Sequence, residues 1–420
     1  MLCGSKKTIE KKPSEPEKVK PVEVKPTPSP SKPKEPAPKP PAQNESPPKV
    51  EPVKEKSKKK SEKKSEKTHE SSRKNRIKGE PVLSWVSFNQ EIKCTEVVAE
   101  FAKNFANPNA AKCPPCKAFD SHPELNRYKD IKCLDKTRVI IKNGKSDYIH
   151  ASWVQIPEYK RKFILAQSPM NNTVDDFWQM CMENEVKYIV MLCLFVEGGE
   201  EQSCQYFPEG EGEKQKYGNI EVELSNKKPH PIDGVIWSVL NVEDLKKSNS
   251  RKEINHILVP WWPNKFIPEN PKLTAQLAWW LKKRINPKDS PMVVHCNNGI
   301  GRSATFVALS LLRFYVNDHN KRKAVDFIKL LREMRFGAIE TEEQYAFFHA
   351  CVFEYYSFLS DENENAYIND SDQEDFDRFM GEYNVYALKK IAARKAEMKR
   401  EKSLKVEPTK EDNCSKEEVK

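Results

Sequence analysis

The sequence has no apolar run near the roughly 18 residues that a membrane helix needs. Its first residues, Met1 to Lys7, lead into charge and proline instead of the apolar core of a secretory signal. Histidine and cysteine show no spacing typical of a metal site. Cys113 and Cys116 form a single C-x-x-C motif with no second pair nearby, and we interpret it as a surface turn. These absences predict a reducing compartment with free thiols, cytoplasmic or, as the alternative, nuclear.

Aromatic residues are absent from residues 1–80, which nevertheless hold 14 of the 31 prolines. This segment carries 23 Lys and Arg against 12 Asp and Glu, so its net charge is +11 and that of the remaining chain is −1. A segment with so little apolar surface cannot offset the conformational entropy lost on folding. Residues 1–84 are therefore predicted to be a disordered Lys/Pro-rich tail. We interpret its basic run, 54–64, as a solvated linker, with a nuclear address or contact with acidic surfaces as alternatives.

From Trp85 the composition is that of a globular domain. Short β-rich runs alternate with helical patterns over residues 85–358, which predicts one α/β (α+β) domain with a large twisted mixed sheet flanked by helices. Residues 359–420 are predicted to be a charged tail, acidic and then basic, with a helix over 383–402. The β-rich runs cover 137–141, 148–154, 162–166, 188–194, 220–224, 235–242, 254–259 and 292–295.

Residues 292–303 read Met-Val-Val-His-Cys-Asn-Asn-Gly-Ile-Gly-Arg-Ser. This pattern predicts a buried strand, a tight loop and a buried helix, so that loop N–H groups and the helix N-terminus favour a bound phosphoryl dianion. Arg302 is suited to grip two of its oxygens. The same field favours a thiolate nucleophile at Cys296, and Ser303 can donate a hydrogen bond to the sulfur. The alternative is that Cys296 is a buried structural thiol.

The stretch from His295 to Ser303 resembles the H-C-x-x-G-x-x-R-[S/T] motif of the protein tyrosine phosphatases, with Asn297-Asn298 where the family usually has Ser-Ala. Other stretches resemble family motifs in the same order along the chain, and the resemblance covers about residues 95–358. They are Asn126 to Asp130 for the phosphotyrosine-recognition loop, Asp147 to Ser152 for D-Y-I-N-A-S, Ala166 to Pro169 for T-Q-G-P, Gln205 to Pro208 for Q-Y-W-P and Arg335 to Gly337 for R-P-G.

The resemblance implies hydrolysis of phosphotyrosine proteins through a cysteinyl-phosphate on Cys296, without a metal or a cofactor. It implies that Tyr128 stacks on the substrate ring, that Asp130 binds the substrate backbone, and that Glu197 supports Arg302. The expected partner is therefore a phosphotyrosine-containing protein. The loop residues implied to bind its phosphoryl group are Asn297, Asn298, Gly299, Ile300, Gly301 and Arg302.

The sequence departs from the family where protons are handled. Trp262-Pro263-Asn264 resembles the Trp-Pro-Asp loop, whose aspartate is a general acid, a role worth about 10²–10⁴-fold. Asn264 occupies that position, and an amide cannot transfer a proton near neutral pH. Gln202 and Ser203 also replace the Lys-Cys that often precedes the Q-Y-W-P stretch.

A second departure falls in Glu340-Thr341-Glu342-Glu343-Gln344, which resembles the family's Q-T-x-x-Q loop. Glu340 stands where a glutamine orients the hydrolytic water, whereas Gln344 is retained. Two functions follow from these departures. One is a weakly active tyrosine phosphatase, and the other is a catalytically inactive pseudophosphatase that binds phosphotyrosine proteins. Turnover distinguishes the two.

Overall fold

The computed structural model describes residues 93–105, 113–157, 159–284, 290–316, 323–362 and 370–406. The predicted Lys/Pro-rich tail, its basic run and the predicted domain start at residue 85 lie outside the described residues. So does the end of the predicted C-terminal tail, after residue 406. None of the helices in the described ranges is long and apolar enough to cross a membrane.

A nine-stranded mixed sheet forms the centre of the domain, and a two-stranded sheet accompanies it. The spatial order of the large sheet is β1-β2-β3-β11-β4-β10-β9-β8-β7, and β5 pairs with β6. The strands are β1 Arg138–Ile140, β2 Tyr148–Val154, β3 Phe163–Ala166, β4 Tyr188–Met191, β5 Val196–Glu197, β6 Glu200–Glu201, β7 Lys214–Tyr217, β8 Ile220–Lys228, β9 Ile236–Asp244, β10 Lys252–Leu258 and β11 Met292–His295.

Strand β11 occupies the middle of the sheet and is parallel to both neighbours, β3 and β4. All four of its side chains are buried, as expected for a parallel strand covered on both faces. The register pairs His295, its last residue, with Ala166 on one side and with Met191 on the other. The chain therefore leaves the sheet at a position fixed by β3 and β4. It enters the loop of residues 296–301, which we call the phosphate loop after its predicted role.

Helices cover both faces of the sheet. Val294 belongs to one apolar cluster and Val293 to the other, because successive side chains of a strand point to opposite faces. The predicted fold class, a large mixed sheet flanked by helices, is confirmed. The helices are α1 Cys94–Phe105, α2 Lys117–Ser121, α3 Val174–Glu183, α4 Pro271–Arg284, α5 Arg302–Val316, α6 Ala324–Met334, α7 Glu342–Glu362 and α8 Asp370–Val406.

Helix α8 is longer than the predicted 383–402 and packs against the domain. Its buried residues Phe379, Tyr383 and Ala387 recur every four positions and join the larger apolar cluster. Lys390 Nζ forms ion pairs of 2.6 Å with Glu342 and 2.8 Å with Glu343 at the start of α7. The apolar stripe of this helix is narrow and many of its other residues are charged, so the sequence predicted a charged tail instead of a packed helix. The predicted domain end at residue 358 falls inside α7.

Candidate active site

The loop from Cys296 to Gly301 joins the carboxyl end of β11 to the N-terminus of α5, and all of its residues are buried. Gly299 is required at the tightest point. Its φ is +71°, and a Cβ there would collide with the backbone carbonyl of Ala166. The short path of the loop therefore depends on a residue without a side chain.

Arg335 holds this loop from behind. Its buried guanidinium donates to the carbonyl oxygens of Asn298, at 3.0 Å, and of Gly299, at 3.3 Å. The same guanidinium donates to Ser152 Oγ at 3.2 Å, which connects the loop to β2. With these carbonyls bound to Arg335, the loop turns its N–H groups toward the opposite side, where Cys296 lies. Residues 335–337 appear in the sequence only as a family turn, so this anchoring role was not predicted.

The nucleophile candidate and the arginine are both fixed. The Gly299 N–H group donates to Cys296 Sγ at 3.2 Å. Arg302 Nη1 donates to Glu197 Oε1 at 2.6 Å and to the carbonyl oxygen of Trp262 at 2.9 Å. Burial is the largest single influence on the pKa of Arg302 and lowers it, but Cys296, Cys193 and Glu197 together raise it by more, so the net direction is upward. The guanidinium therefore keeps its charge beside the thiol.

A buried tyrosine fixes the end of β11. The Tyr206 hydroxyl lies 2.6 Å from His256 Nε2 and 2.7 Å from His295 Nε2. Burial lowers the pKa of both histidines to about 3, so both rings are neutral near pH 7. The hydroxyl can then donate to one ring and accept from the other. This places a neutral imidazole directly before Cys296.

Three side chains at departures from the family pattern form one carboxamide cluster, which we define as Gln202, Asn264 and Asn297. Gln202 Oε1 accepts from Asn264 Nδ2 at 3.2 Å and from Asn297 Nδ2 at 2.8 Å. Asn264 Oδ1 in turn accepts from Arg302 Nη2 at 3.2 Å. The Tyr128 hydroxyl lies 3.1 Å from Asn297 Nδ2. The structure thus brings the acid position and the recognition tyrosine to opposite sides of one amide network.

Gln202 was not predicted to be a site residue. One sequence feature could have indicated its role. The chain lacks both the lysine of the family pattern, at Gln202, and the aspartate, at Asn264. Those residues have opposite charges, and here two amides occupy their positions and bond to each other. A paired loss of opposite charges is therefore the sequence feature that could have identified the contact.

The other departures, Asn298 and Glu340, also meet. Asn298 Nδ2 donates to Glu340 Oε2 at 3.0 Å. Asn298 Oδ1 accepts from the N–H groups of Ile300, at 3.0 Å, and of Gly301, at 3.4 Å. The Cys296 thiol lies 3.5 Å from the same oxygen. The Asn298 side chain therefore lies inside the loop that the sequence assigns to a phosphoryl group.

Gln344 is fully buried below this contact. Its Oε1 accepts from the Glu340 N–H group at 3.0 Å, whereas its Nε2 has no hydrogen-bond partner in the described ranges. That nitrogen would lie 2.9 Å from a Cβ on Gly301, so it borders the loop. The Ser303 hydroxyl is likewise buried without a partner among the described residues. Both are donors still available to a ligand or a water.

The remaining predicted residues differ in placement. Tyr128 is half-buried at the rim, whereas Asp130 is exposed and hydrogen-bonds to none of the described site residues. Cys113 is exposed, Cys116 is buried, and their sulfurs lie 3.4 Å apart without a disulfide. All the cysteines in the described ranges are free thiols. The same ranges contain no group of His, Cys, Asp and Glu residues arranged to hold a metal ion.

Comparison with known proteins identifies the family. The sequence model of the protein-tyrosine phosphatase family matches residues 122–354, more than half of the chain. Mouse tyrosine-protein phosphatase non-receptor type 7 is 32% identical over 286 residues, which cover 65% of this chain and 75% of that protein. Human tyrosine-protein phosphatase non-receptor type 2 is 30% identical over 239 residues, or 56% of this chain and 57% of that protein.

The human receptor-type tyrosine-protein phosphatase C is 33% identical over 237 residues, which cover 56% of this chain but 18% of that protein. The chain thus spans less than a fifth of the length of this receptor-type relative. The match of the family model and the coverage of the non-receptor type 7 protein place the chain in the protein-tyrosine phosphatase family.

Proposed function

We propose that this chain is a protein tyrosine phosphatase of low turnover, which hydrolyses phosphotyrosine proteins through a phosphate covalently held on Cys296. The contact that carries the proposal is the Gly299 N–H group on Cys296 Sγ at 3.2 Å, with Arg302 fixed beside the thiol by Glu197. A sulfur supported by an amide hydrogen bond and a nearby guanidinium is suited to react as a thiolate.

In the first step the Cys296 sulfur attacks phosphorus, and the bond to the tyrosine oxygen breaks. Arg302 and the loop N–H groups stabilise the charge on the phosphoryl oxygens. The leaving phenolate needs a proton, and Asn264 offers only a hydrogen bond. Phenol has a pKa of about 10, so it is a tolerable leaving group. The step therefore keeps its nucleophile and its anion site but loses the acceleration of about 10²–10⁴-fold that a general acid supplies.

In the second step water attacks the cysteinyl-phosphate and returns the thiolate. Gln344 Nε2 is a buried donor at the edge of the loop, and it can orient that water. Glu340 places a carboxylate where the family has a neutral amide. A negative charge facing a phosphoryl dianion costs electrostatic energy, although the carboxylate could also accept the proton of the water. The second step is therefore also expected to be slow.

A second candidate function is a pseudophosphatase that binds phosphotyrosine proteins without hydrolysing them. It is favoured by the Asn264 side chain, which bonds to Gln202 at 3.2 Å and to Arg302 at 3.2 Å. An amide held between these two groups keeps the loop against the site without supplying an acid. Tyr128, Arg302 and the loop amides would serve binding as well as they serve catalysis.

The experiment that separates the two functions measures affinity, phosphate release and protein mass on the full chain with one phosphotyrosine peptide. Slow release with a phosphate adduct on Cys296 is the expected result. Tight binding without adduct or release would replace the proposal with the second candidate. Release at the rate of an ordinary tyrosine phosphatase would contradict the low turnover.

We propose a cytoplasmic place of action, with the nucleus as the alternative. It is supported by two relatives, whose names describe them as non-receptor tyrosine-protein phosphatases. The partner is expected to be a phosphotyrosine-containing protein, recognised at Tyr128 and Asp130. The role of Asp130 remains a prediction, because its side chain is exposed and bonds to none of the described site residues.

A further inference from the structure

The phosphate loop of this chain holds one of its own side chains. Asn298 is 3% exposed, and its side-chain oxygen accepts from two loop N–H groups, those of Ile300 at 3.0 Å and Gly301 at 3.4 Å. These N–H groups belong to the set that would bind phosphoryl oxygens. The same oxygen lies 3.5 Å from Cys296 Sγ, within hydrogen-bond distance of the thiol, so it occupies space beside the nucleophile where a phosphoryl group would bind.

The other end of this amide is held as well. Asn298 Nδ2 donates to Glu340 Oε2 at 3.0 Å, and Glu340 is positioned by the bond from its own N–H group to Gln344. The side chain is therefore anchored through both its oxygen and its nitrogen. A hydrogen bond from an amide to a carboxylate is stronger than one between neutral groups, which favours this rotamer.

The neighbouring amide adds to the same effect. Asn297 Oδ1 accepts from the Asn298 N–H group at 2.7 Å, so a third loop N–H group is already bonded. Asn297 itself is held by Gln202 and by contact with Tyr128. Three of the loop N–H groups are therefore bonded to carboxamide oxygens before any ligand arrives, and a fourth, that of Gly299, is bonded to Cys296 Sγ.

We propose that the Asn298 carboxamide is an internal ligand of the phosphate loop, anchored by Glu340, and that a phosphoryl group binds only by displacing it. The inference rests on the proposed function, since it concerns the same loop. A carboxamide oxygen is neutral, so a dianion that also engages Arg302 replaces it. The displacement lowers the affinity for every tetrahedral oxyanion and favours ligands with additional contacts outside the loop, such as a phosphotyrosine ring beside Tyr128.

The test uses inorganic tungstate, a tetrahedral dianion that needs no tyrosine ring and no turnover. Its affinity for the full chain is measured by calorimetry and by the rise in thermal unfolding temperature. Asn298→Ala removes the internal ligand, and two lost amide hydrogen bonds correspond to an affinity gain of about tenfold or more. Asn298→Asp keeps the oxygen and adds a negative charge, so tungstate affinity is expected to fall at least about tenfold.

Asn172→Ala serves as the matched control, since its exposed side chain bonds to the carbonyl of Glu124. This variant should bind tungstate as the unaltered chain does. Thermal unfolding without tungstate shows whether each variant is folded. A folded Asn298→Ala variant that binds tungstate no better than the unaltered chain overturns the inference.

Phosphate release from a phosphotyrosine peptide is recorded on the same variants and keeps the two proposals apart. Tighter tungstate binding by Asn298→Ala without release in any variant would support the internal ligand and contradict the proposed phosphatase activity. Release with unchanged tungstate affinity would do the reverse. If both hold, Asn298→Ala should also lower the KM for the peptide, an effect that a purely structural role would not produce.

Discussion

The site consists of two regions with different chemistry. One is the phosphoryl-holding region, which we define as Cys296, Gly299, Arg302 and Glu197, where charged and amide groups meet the thiol. The other is the proton-handling region, namely the carboxamide cluster with Asn298 and Glu340, where amides bond mostly to one another. Under the proposed function, the first region would hold the phosphoryl group and the second would handle its protons.

The two regions are separate because most of their side chains are carried by different segments of the chain. The phosphoryl-holding region depends on the β11–loop–α5 segment, whose geometry follows from one strand, one glycine and one helix N-terminus. In the proton-handling region, Gln202, Asn264 and Glu340 come from loops after β6 and β10 and before α7, whereas Asn297 and Asn298 belong to the β11–α5 loop itself. Substitutions in the loops that carry Gln202, Asn264 and Glu340 can remove an acid without changing any residue of the β11–α5 loop. One region can therefore keep its chemistry while the other loses it.

The largest expected effect is that of Cys296→Ser, which removes the nucleophile of the phosphoryl-holding region. Phosphate release from a phosphotyrosine peptide should fall to the background, because an unactivated serine hydroxyl cannot replace the thiolate. Cys113→Ser, at an exposed thiol, is the control and should leave the rate unchanged. If Cys296→Ser released phosphate at the original rate, Cys296 would not be the nucleophile.

The next effect in size restores charge to the proton-handling region. The double variant Asn264→Asp with Gln202→Lys should raise phosphate release by up to about 10²–10⁴-fold, because it supplies an acid and removes the amide contact that holds it. The single variant Asn264→Asp should gain less, since its carboxylate then faces Gln202 Oε1, which accepts from Asn264 at 3.2 Å. The measurement is the rate of release as a function of pH.

An unchanged rate in the double variant, with the fold intact, would mean that the acid position does not limit turnover. The missing acid at Asn264 would then not explain why the proposed turnover is low. The two single variants provide the matched controls, because they show whether the two changes act together or separately.

A smaller effect concerns the support beneath the proton-handling region. Helix α8 contacts the start of α7 just after Glu340, and Tyr383 on α8 is fully buried. Tyr383→Ala should lower the free energy of unfolding by about 3–5 kcal/mol, the cost of emptying an aromatic site in a core. Val385→Ala, at a residue that is 71% exposed on the same helix, should change it by less than about 0.5 kcal/mol. Equal effects of the two substitutions would show that α8 does not pack as described.

The most gradual effect is the pH dependence of the free energy of unfolding, which changes over several pH units. The pKa of His256 and of His295 is lowered by burial from 6.5 to about 3. Between these values the unfolded chain binds more protons than the folded chain, so stability is full above about pH 6.5 and falls as the pH decreases toward 3. Each histidine contributes about 1.4 kcal/mol per pH unit.

Denaturant unfolding at several pH values between 7.5 and 5 measures this slope. His256→Gln should make the slope shallower by the share of one histidine, whatever it does to the absolute stability. Both rings lie behind the phosphoryl-holding region, so this result would assign part of the acid sensitivity to that region. A slope unaffected by the substitution would contradict the buried neutral state of His256.

The fold was largely predictable, because its signals are local. The buried apolar run at β11 and the glycine-containing loop after it follow each other in the sequence, and the structure shows them in that order. The charged segment after residue 358 was harder to interpret. Helix α8 buries Phe379, Met380, Tyr383, Ala387 and Ile391, and the many charged residues between them conceal this apolar stripe when only composition is considered.

The strand, loop and helix around Cys296 follow from the local sequence, and so does the amide at the acid position. Which of the departures come into contact depends on the fold. Gln202 and Asn264 are 62 residues apart, and Asn298 and Glu340 are 42 residues apart, yet each pair shares a hydrogen bond. Such contacts depend on how separate loops converge at the end of a sheet, and no local pattern of residues records that convergence.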